Sequence, residues 1–316
     1  VVFAGRSEEA ALLLSGWLIK YFQEQHIPVR RSMWKVNPPP MTSASVYSSQ
    51  TRAIIQNLEE ANPLREPTLR SIIAALDFAP GSDGLDIGCG IGLQTLLLAK
   101  VTAPAGRVTG LDISAELLDY ARSKIAASPL ADRITFKEGD MQRLPFPSDS
   151  FDWVWSADCV GYPAGDLLAT LREIARVLKP GGRVAILAWT SQQLLPGYPL
   201  LEAQLNATCS AYAPLLRDAD PASHFMRALR SFSDTGLTEV KAQTFVSEVQ
   251  APLSTACRVA LTSLIEMLWS VSPAAPEADR MEYQRLCRAA SPDFILNLPE
   301  YYAFFTYTLF SGTAAK

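Results

Sequence analysis

Histidine, paired cysteine, net positive charge and long apolar runs are all scarce in this chain, and each scarcity removes a class of function. His26 and His224 are the only histidines among 316 residues. A histidine in an exposed loop is ordinarily just solvated, which leaves His224 a weak candidate base. The five cysteines, Cys89, Cys159, Cys209, Cys257 and Cys287, show neither CxxC pairing nor metal-ligand spacing. That pattern argues against a disulfide framework and against a zinc site, and it points to a cytoplasmic protein. Lys and Arg number 28 against 32 Asp and Glu, a net charge of -4. DNA or RNA would have to bind against that charge, so a small-molecule partner is expected. The apolar stretch Ala10 to Ile19 falls short of the roughly 20 residues of a membrane span, and Glu8 and Glu9 spoil a signal-peptide start. No membrane segment is expected; the stretch reads as an amphipathic helix that packs inward or contacts a second copy. The chain opens on Val1 rather than methionine, which fits a fragment, a processed form or an upstream extension of a protein beginning at Met33 or Met41.

What the chain does have is a glycine loop. Gly84-Leu85-Asp86-Ile87-Gly88-Cys89-Gly90-Ile91-Gly92 is a short apolar run containing an acid, followed by glycine at every second position and the leucine-rich helix start Leu93 to Lys100. A buried parallel strand feeding a helix through a tight turn accounts for it. Glycines there let the chain turn sharply and a ligand touch bare backbone. A phosphate loop would end in Gly-Lys-Ser/Thr, which is lacking. A dinucleotide fingerprint would carry its third glycine three residues after the second, whereas position 93 is Leu93 and the glycine is Gly92. Asp86, expected at the mouth of the loop, would repel a pyrophosphate and attract a cationic ligand. S-adenosylmethionine carries an ammonium and a sulfonium, no phosphate, and a ribose diol. The run Arg107 to Leu111 ends in Asp112, and an acid at the tip of the second strand is the usual acceptor for such a diol.

On these residues the sequence resembles the class I S-adenosylmethionine-dependent methyltransferases, among them the small-molecule type that includes the ubiquinone and menaquinone biosynthesis enzymes. The resemblance covers about residues 66 to 190, and its motifs arrive in the family's order. After Asp86 to Gly92 and Asp112 come Gly139-Asp140-Met141, then Leu144 to Pro147 with Phe151 to Ser156, and finally Leu178-Lys179-Pro180-Gly181-Gly182. The resemblance implies cofactor contacts from Asp86, Gly88, Cys89 through its backbone, Gly90, Gly92, Asp112, Ile113, Asp140, Met141 and Ser156. It also implies that Ser156 to Tyr162 faces the acceptor, with Asp158 as general base or sulfonium partner and Tyr162 as an orienting group. The plainer alternative for Asp158 is a cap on the following turn. Arsenite methyltransferases have a similar core and bind through thiols, so Cys159, Cys209 and Cys257 define a remote alternative.

Periodicity supplies the frame. Ser43 to Asn62 reads as loop and helix over the cofactor, with Tyr47 either touching the ligand or packing. Leu69, Ile72, Ile73 and Leu76 mark a separate helix starting near Glu66, with Pro67 in its first turn. Strands are expected at Arg133 to Lys137, Phe151 to Ser156, Arg183 to Trp189, Thr238 to Val246 and Tyr302 to Ser311. Helices are expected between Ser114 and Ile125, from Leu167 to Leu178, from Leu194 to Tyr212 and from Ala222 to Ser233. Regular strand-helix alternation demands a parallel sheet with its ligand at the strands' carboxyl ends. The expected fold class is α/β, a Rossmann-like doubly wound sheet of seven strands, mostly parallel with an antiparallel last strand. Residues 1-65 form an N-terminal helical segment, 66-250 plus 299-316 the core, and 251-298 a helical insertion that is either a substrate cap or a dimer contact. Asn37-Pro38-Pro39-Pro40 imitates a nucleic-acid methyltransferase motif but has Pro40 where an aromatic is needed and no strand before it.

The expected activity is methyl transfer from S-adenosylmethionine to a small-molecule acceptor. A non-catalytic binder or sensor of the same ligand is the first alternative, and a nicotinamide-dependent oxidoreductase the second.

Overall fold

The computed structural model describes residues 47–161, 166–207, 224–269 and 276–315. The stretch Ala10 to Ile19, the prolines 38 to 40, His26, Tyr162 and Cys209 lie outside them.

Seven strands form one sheet: β1 (Gly84–Ile87), β2 (Val108–Asp112), β3 (Ile134–Glu138), β4 (Phe151–Ala157), β5 (Leu178–Gln193), β6 (Thr238–Gln250) and β7 (Tyr302–Thr313), in spatial order β3-β2-β1-β4-β5-β7-β6. All four residues of β1 are buried, as both-face coverage of a parallel sheet requires. β1 pairs in parallel with β2 and β4, and β7 runs antiparallel to both β5 and β6. The fifth strand is longer than its expected span of Arg183 to Trp189. Leu178 already pairs with Phe151, and the turn glycine Gly181, at φ 77°, is a kink inside the strand instead of a stop before it.

A 27-residue helix, α1 (Ser49–Ala75), precedes β1. Two helices were expected here, divided near Glu66; one continuous helix replaces them and crosses the 65/66 boundary. Pro63 and Pro67 sit in its interior, each removing one backbone donor. The helix survives because its two halves are buried differently. Leu64, Leu69, Ile72 and Ile73 join the main core, whereas Ile54 and Ile55 form a small separate cluster with Ile91 and Leu117. Ser48 caps the helix through its hydroxyl, accepting from Thr51 N at 3.1 Å.

Next come α2 (Leu93–Thr102), α3 (Ala115–Ile125) and α4 (Leu167–Val177). Ser114 caps α3 as expected, accepting from Leu117 N at 3.3 Å, and Leu117, Leu118, Ala121 and Ile125 are its buried face. After β5 two helices begin later than their pattern suggests. α5 (Pro199–Ala207) starts late because the buried Glu202 carboxylate accepts from Leu194 N and Leu195 N, holding those residues in a loop. Phe225–Arg227 is a 3-10 turn before α6 (Ala228–Asp234). Between β6 and β7 lie α7 (Thr255–Leu268) and α8 (Glu277–Leu286). α7 lies along α1, with Ser263 Oγ donating to Glu60 Oε2 at 3.1 Å. Its Leu261, Ile265 and Leu268 belong to the same core cluster as Ile72, Trp153 and Phe305.

Candidate cofactor and active site

The loop after β1 holds Gly88, Gly90 and Gly92 at φ of 74°, 51° and 76°, a region open mainly to glycine. Gly88 N and Cys89 N both donate to Leu111 O, at 2.8 and 3.0 Å, fastening the loop across the end of β2. A Cβ on Gly88 would overlap Cys159 Sγ, and one on Gly92 would lie 2.9 Å from Phe136 Cζ. A Cβ on Gly90 meets only Leu58 Cδ1 of α1, at 3.4 Å. Gly88 and Gly92 are therefore fixed by packing, while Gly90 presents bare backbone beneath α1.

Asp112 closes β2 with its carboxylate buried. Oδ2 accepts from Gly90 N at 3.0 Å and Oδ1 from Ser114 N at 2.9 Å. Burial pushes its pKa up and the backbone donors pull it back in part. Asp86 is found beneath the loop and not at its mouth: it is 2% exposed and accepts from Thr95 Oγ1 of α2 at 2.6 Å. Burial, opposed by the Thr95 bond and assisted by the charge of Asp112, carries the Asp86 carboxyl to about 7.

Two cavities flank the loop and share Gly88 as a wall. The first, of about 60 Å³, is lined by Leu58, Asn62, Arg65 and Leu69 of α1, by Gly88 to Ile91, Leu93 and Gln94, and by Leu117, Ala157 and Asp158. The second, of about 10 Å³, is lined by Ile87, Gly88, Leu111, Asp112, Ile113, Gly139, Met141 and Cys159. Both are smaller than the roughly 300 Å³ at which small-ligand pockets begin.

The remaining expected residues fall unevenly. Ile113 and Met141 line the second cavity, but the Asp140 carboxylate turns aside and accepts from Gln142 N at 2.9 Å. Ser156 is fully buried; its hydroxyl donates to Ile87 O at 2.9 Å and accepts from Val160 N at 3.3 Å, bracing β1 against β4. Burial raises the Cys89 thiol well above its ordinary value, which leaves it unreactive. Asp158, just past β4, adopts φ 51°. Its Oδ1 accepts from Trp189 N at 2.8 Å, while Oδ2 forms an ion pair with Arg65 and accepts from Tyr307 OH at 3.4 Å. The carboxylate thus turns toward β5 and α1 instead of capping the turn that follows. Tyr47 packs edge-on against Tyr120, and His224 accepts from Met226 N at 3.2 Å through Nδ1.

Sequence reading missed Arg65, Asn62, Gln94 and Tyr307. Arg65 Nε donates to Tyr307 OH at 2.7 Å, joining residues 242 positions apart, and no local pattern signals such a pair. Among the described residues no cluster of three His, Cys, Asp or Glu could hold a metal ion. No described helix is long and apolar enough to cross a membrane.

A model of the methyltransferase domain matches residues 85–182. A demethylmenaquinone methyltransferase of Symbiobacterium thermophilum is 45% identical over 117 residues, 36% of this chain and 45% of that protein. A demethylmenaquinone methyltransferase of Bacillus cytotoxicus is 30% identical over 202 residues, 59% of this chain and 81% of that protein. This chain belongs to the class I S-adenosylmethionine-dependent methyltransferases. It spans under half the length of the Symbiobacterium relative. A chain from the complex of the Haloferax volcanii Trm112 methyltransferase activator with a methyltransferase has the same fold, with TM-score 0.50 and 22% identity over 83% of this chain and 95% of that one. The residues present are compatible with the methyltransferase cofactor: the Asp112 carboxylate at the second cavity is an acceptor of the kind a ribose diol needs, Gly90 offers bare backbone, and Ile113 and Met141 supply an apolar flank.

Proposed function

We propose that the protein transfers a methyl group from S-adenosylmethionine to a small-molecule acceptor. The observation that carries this reading is the Asp112 carboxylate, locked onto Gly90 N at the carboxyl edge of the sheet in the lining of the second cavity. When bound, the cofactor supplies an electrophilic methyl on its sulfonium. The residues of this chain would bind and orient it and exclude water: Asp112, Ile113 and Met141 would hold the nucleoside, against the Gly88 to Gly90 backbone. α1, with α7 behind it, seals the site, which favours in-line attack by a held acceptor. The relatives' names make demethylmenaquinone, in its reduced and nucleophilic form, the first acceptor to assay. We place the insertion 251-298 as a cap, because α7 backs the α1 wall that carries Arg65, and we place the protein in the cytoplasm.

Titration calorimetry with S-adenosylmethionine, its demethylated product and NADH tests the cofactor. Incubation with methyl-labelled donor and fractionated metabolites tests the transfer. Binding of the first two ligands with label in a metabolite is the expected result. Tight NADH binding would sink the reading, and donor binding with no labelled product would favour the sensor alternative.

A further inference from the structure

We infer that Glu173 and Arg176 of α4 are positioning residues for the nucleobase of the cofactor: without reaching the ligand, they set the shape of the loop after β3 against which the base would lie. The inference rests on the cofactor reading above. Asp112, the proposed ribose acceptor, lines the second cavity together with Gly139 and Met141, and these follow the adjacent parallel strands β2 and β3. The base carried by that ribose would therefore meet the loop 139–147. Pro145 and Pro147 bring no backbone donors to this loop, and its carbonyls are satisfied by side chains instead of by a ladder.

Arg176 Nε donates to Glu173 Oε1 at 2.9 Å and Nη2 donates to Oε2 at 2.8 Å, a two-pronged pair on one turn of α4. The pair grips both backbone groups of Leu144: Leu144 N donates to Glu173 Oε2 at 3.0 Å, and Arg176 Nη2 donates to Leu144 O at 3.0 Å. Arg176 Nη1 reaches further, donating to Phe146 O at 2.8 Å. Lys137 Nζ of β3 donates to Pro145 O at 2.9 Å and Ser150 Oγ to Pro147 O at 2.7 Å, so every carbonyl from 144 to 147 is held by a side chain. The grip reaches the cavity wall by packing. Leu144 and Met141 are buried in one cluster with Leu171 and Ile174 of α4, and a Cβ on Gly139 would lie 2.9 Å from Pro145 Cγ. The Arg176 bond holds the Glu173 carboxyl below its ordinary range, which keeps it an acceptor at neutral pH. A wall fixed before binding spares the ligand the cost of ordering it.

The test compares S-adenosylhomocysteine with S-inosylhomocysteine, which differ only in the base, adenine against hypoxanthine. Dissociation constants are measured by calorimetry for the wild type, Arg176→Gln, Arg176→Lys, Glu173→Gln and Lys137→Ala, with thermal unfolding alongside. The wild type should prefer S-adenosylhomocysteine. Arg176→Gln and Glu173→Gln should weaken S-adenosylhomocysteine roughly 3- to 10-fold and S-inosylhomocysteine less, because a loosened wall must be ordered on binding and then fits either base. Arg176→Lys should recover part of the loss. Lys137→Ala, on the exposed side of the same loop, should shift the ratio of the two constants about twofold, and it carries the test if the α4 variants do not fold. A lowered melting temperature with an unchanged ratio would make the pair merely structural and overturn the inference, as would a wild type that does not distinguish the bases. Failure of the wild type to bind either probe would instead sink the cofactor reading beneath it.

Discussion

The two cavities on either side of Gly88 are built in opposite ways. The Asp112 side is assembled from residues 87 to 159, all within consecutive strand-loop units of the parallel sheet. The Arg65 side draws on α1, the loop after β1 and the end of β4, and its ion pair is steadied from β7. A site made within successive βα units follows from strand order, because the carboxyl ends of adjacent parallel strands lie side by side. A site made across the whole chain depends on where a long helix comes to rest. That position is set partly by weak surface contacts, such as Lys124 Nζ to Glu59 Oε1 at 2.5 Å, and partly by burial of Leu69, Ile72 and Ile73.

The harshest way to break the comparison is to change the wall both cavities share. Gly88→Ala places a Cβ on Cys159 Sγ at a backbone angle of φ 74°. It should lower stability by about 2 to 4 kcal/mol and abolish binding of S-adenosylmethionine and its demethylated product, read by thermal unfolding and calorimetry. Unchanged stability would mean that the loop relaxes freely.

Asp112→Ala sharpens the contrast. It removes the carboxylate proposed as the ribose acceptor together with the anchor of Gly90 N, so S-adenosylhomocysteine and 5′-methylthioadenosine should both weaken by at least about tenfold. A selective loss in Asp112→Ala would place the ribose elsewhere.

A third prediction concerns pH. The Asp86 carboxyl titrates at about 7 in the fold and near its ordinary 3.8 when unfolded. Between those values the folded state holds the extra proton. Its contribution to stability is complete below the unfolded value and is lost as pH rises through about 7. Asp86→Asn should therefore melt a few degrees above wild type at pH 8, with the difference shrinking or reversing at pH 5. Parallel melting curves across that range would show that Asp86 is not the titrating group.

The smallest effect is expected on the rim. Lys124→Ala removes the partly exposed ion pair that ties α3 to the first half of α1 and should lower stability by no more than about 1 kcal/mol. A larger loss would show that the small cluster around Ile54 and Ile91 depends on that tie.

The strands around the loop were legible because glycine spacing, apolar runs and terminal acids are local. Asp112, Ile113 and Met141 line the second cavity. Asp86, Asp140 and Ser156 were found in their expected elements, but their side chains face inward or along the backbone. A motif marks a position along the chain and does not set the direction of a rotamer. α1 was misread as two segments because Pro63 and Pro67 are ordinarily boundary signals. Burial of both halves outweighed the two lost donors.

Local sequence alone determined the order of strands and helices, the glycine turn and the acid at the tip of β2, since tight turns and buried strands constrain residue type at short range. Only the tertiary structure decided that Arg65, Asp158 and Tyr307 meet. An ion pair between α1 and β4, steadied from β7, leaves no periodic trace in the chain, and its geometry exists only once the helix has packed on the finished sheet.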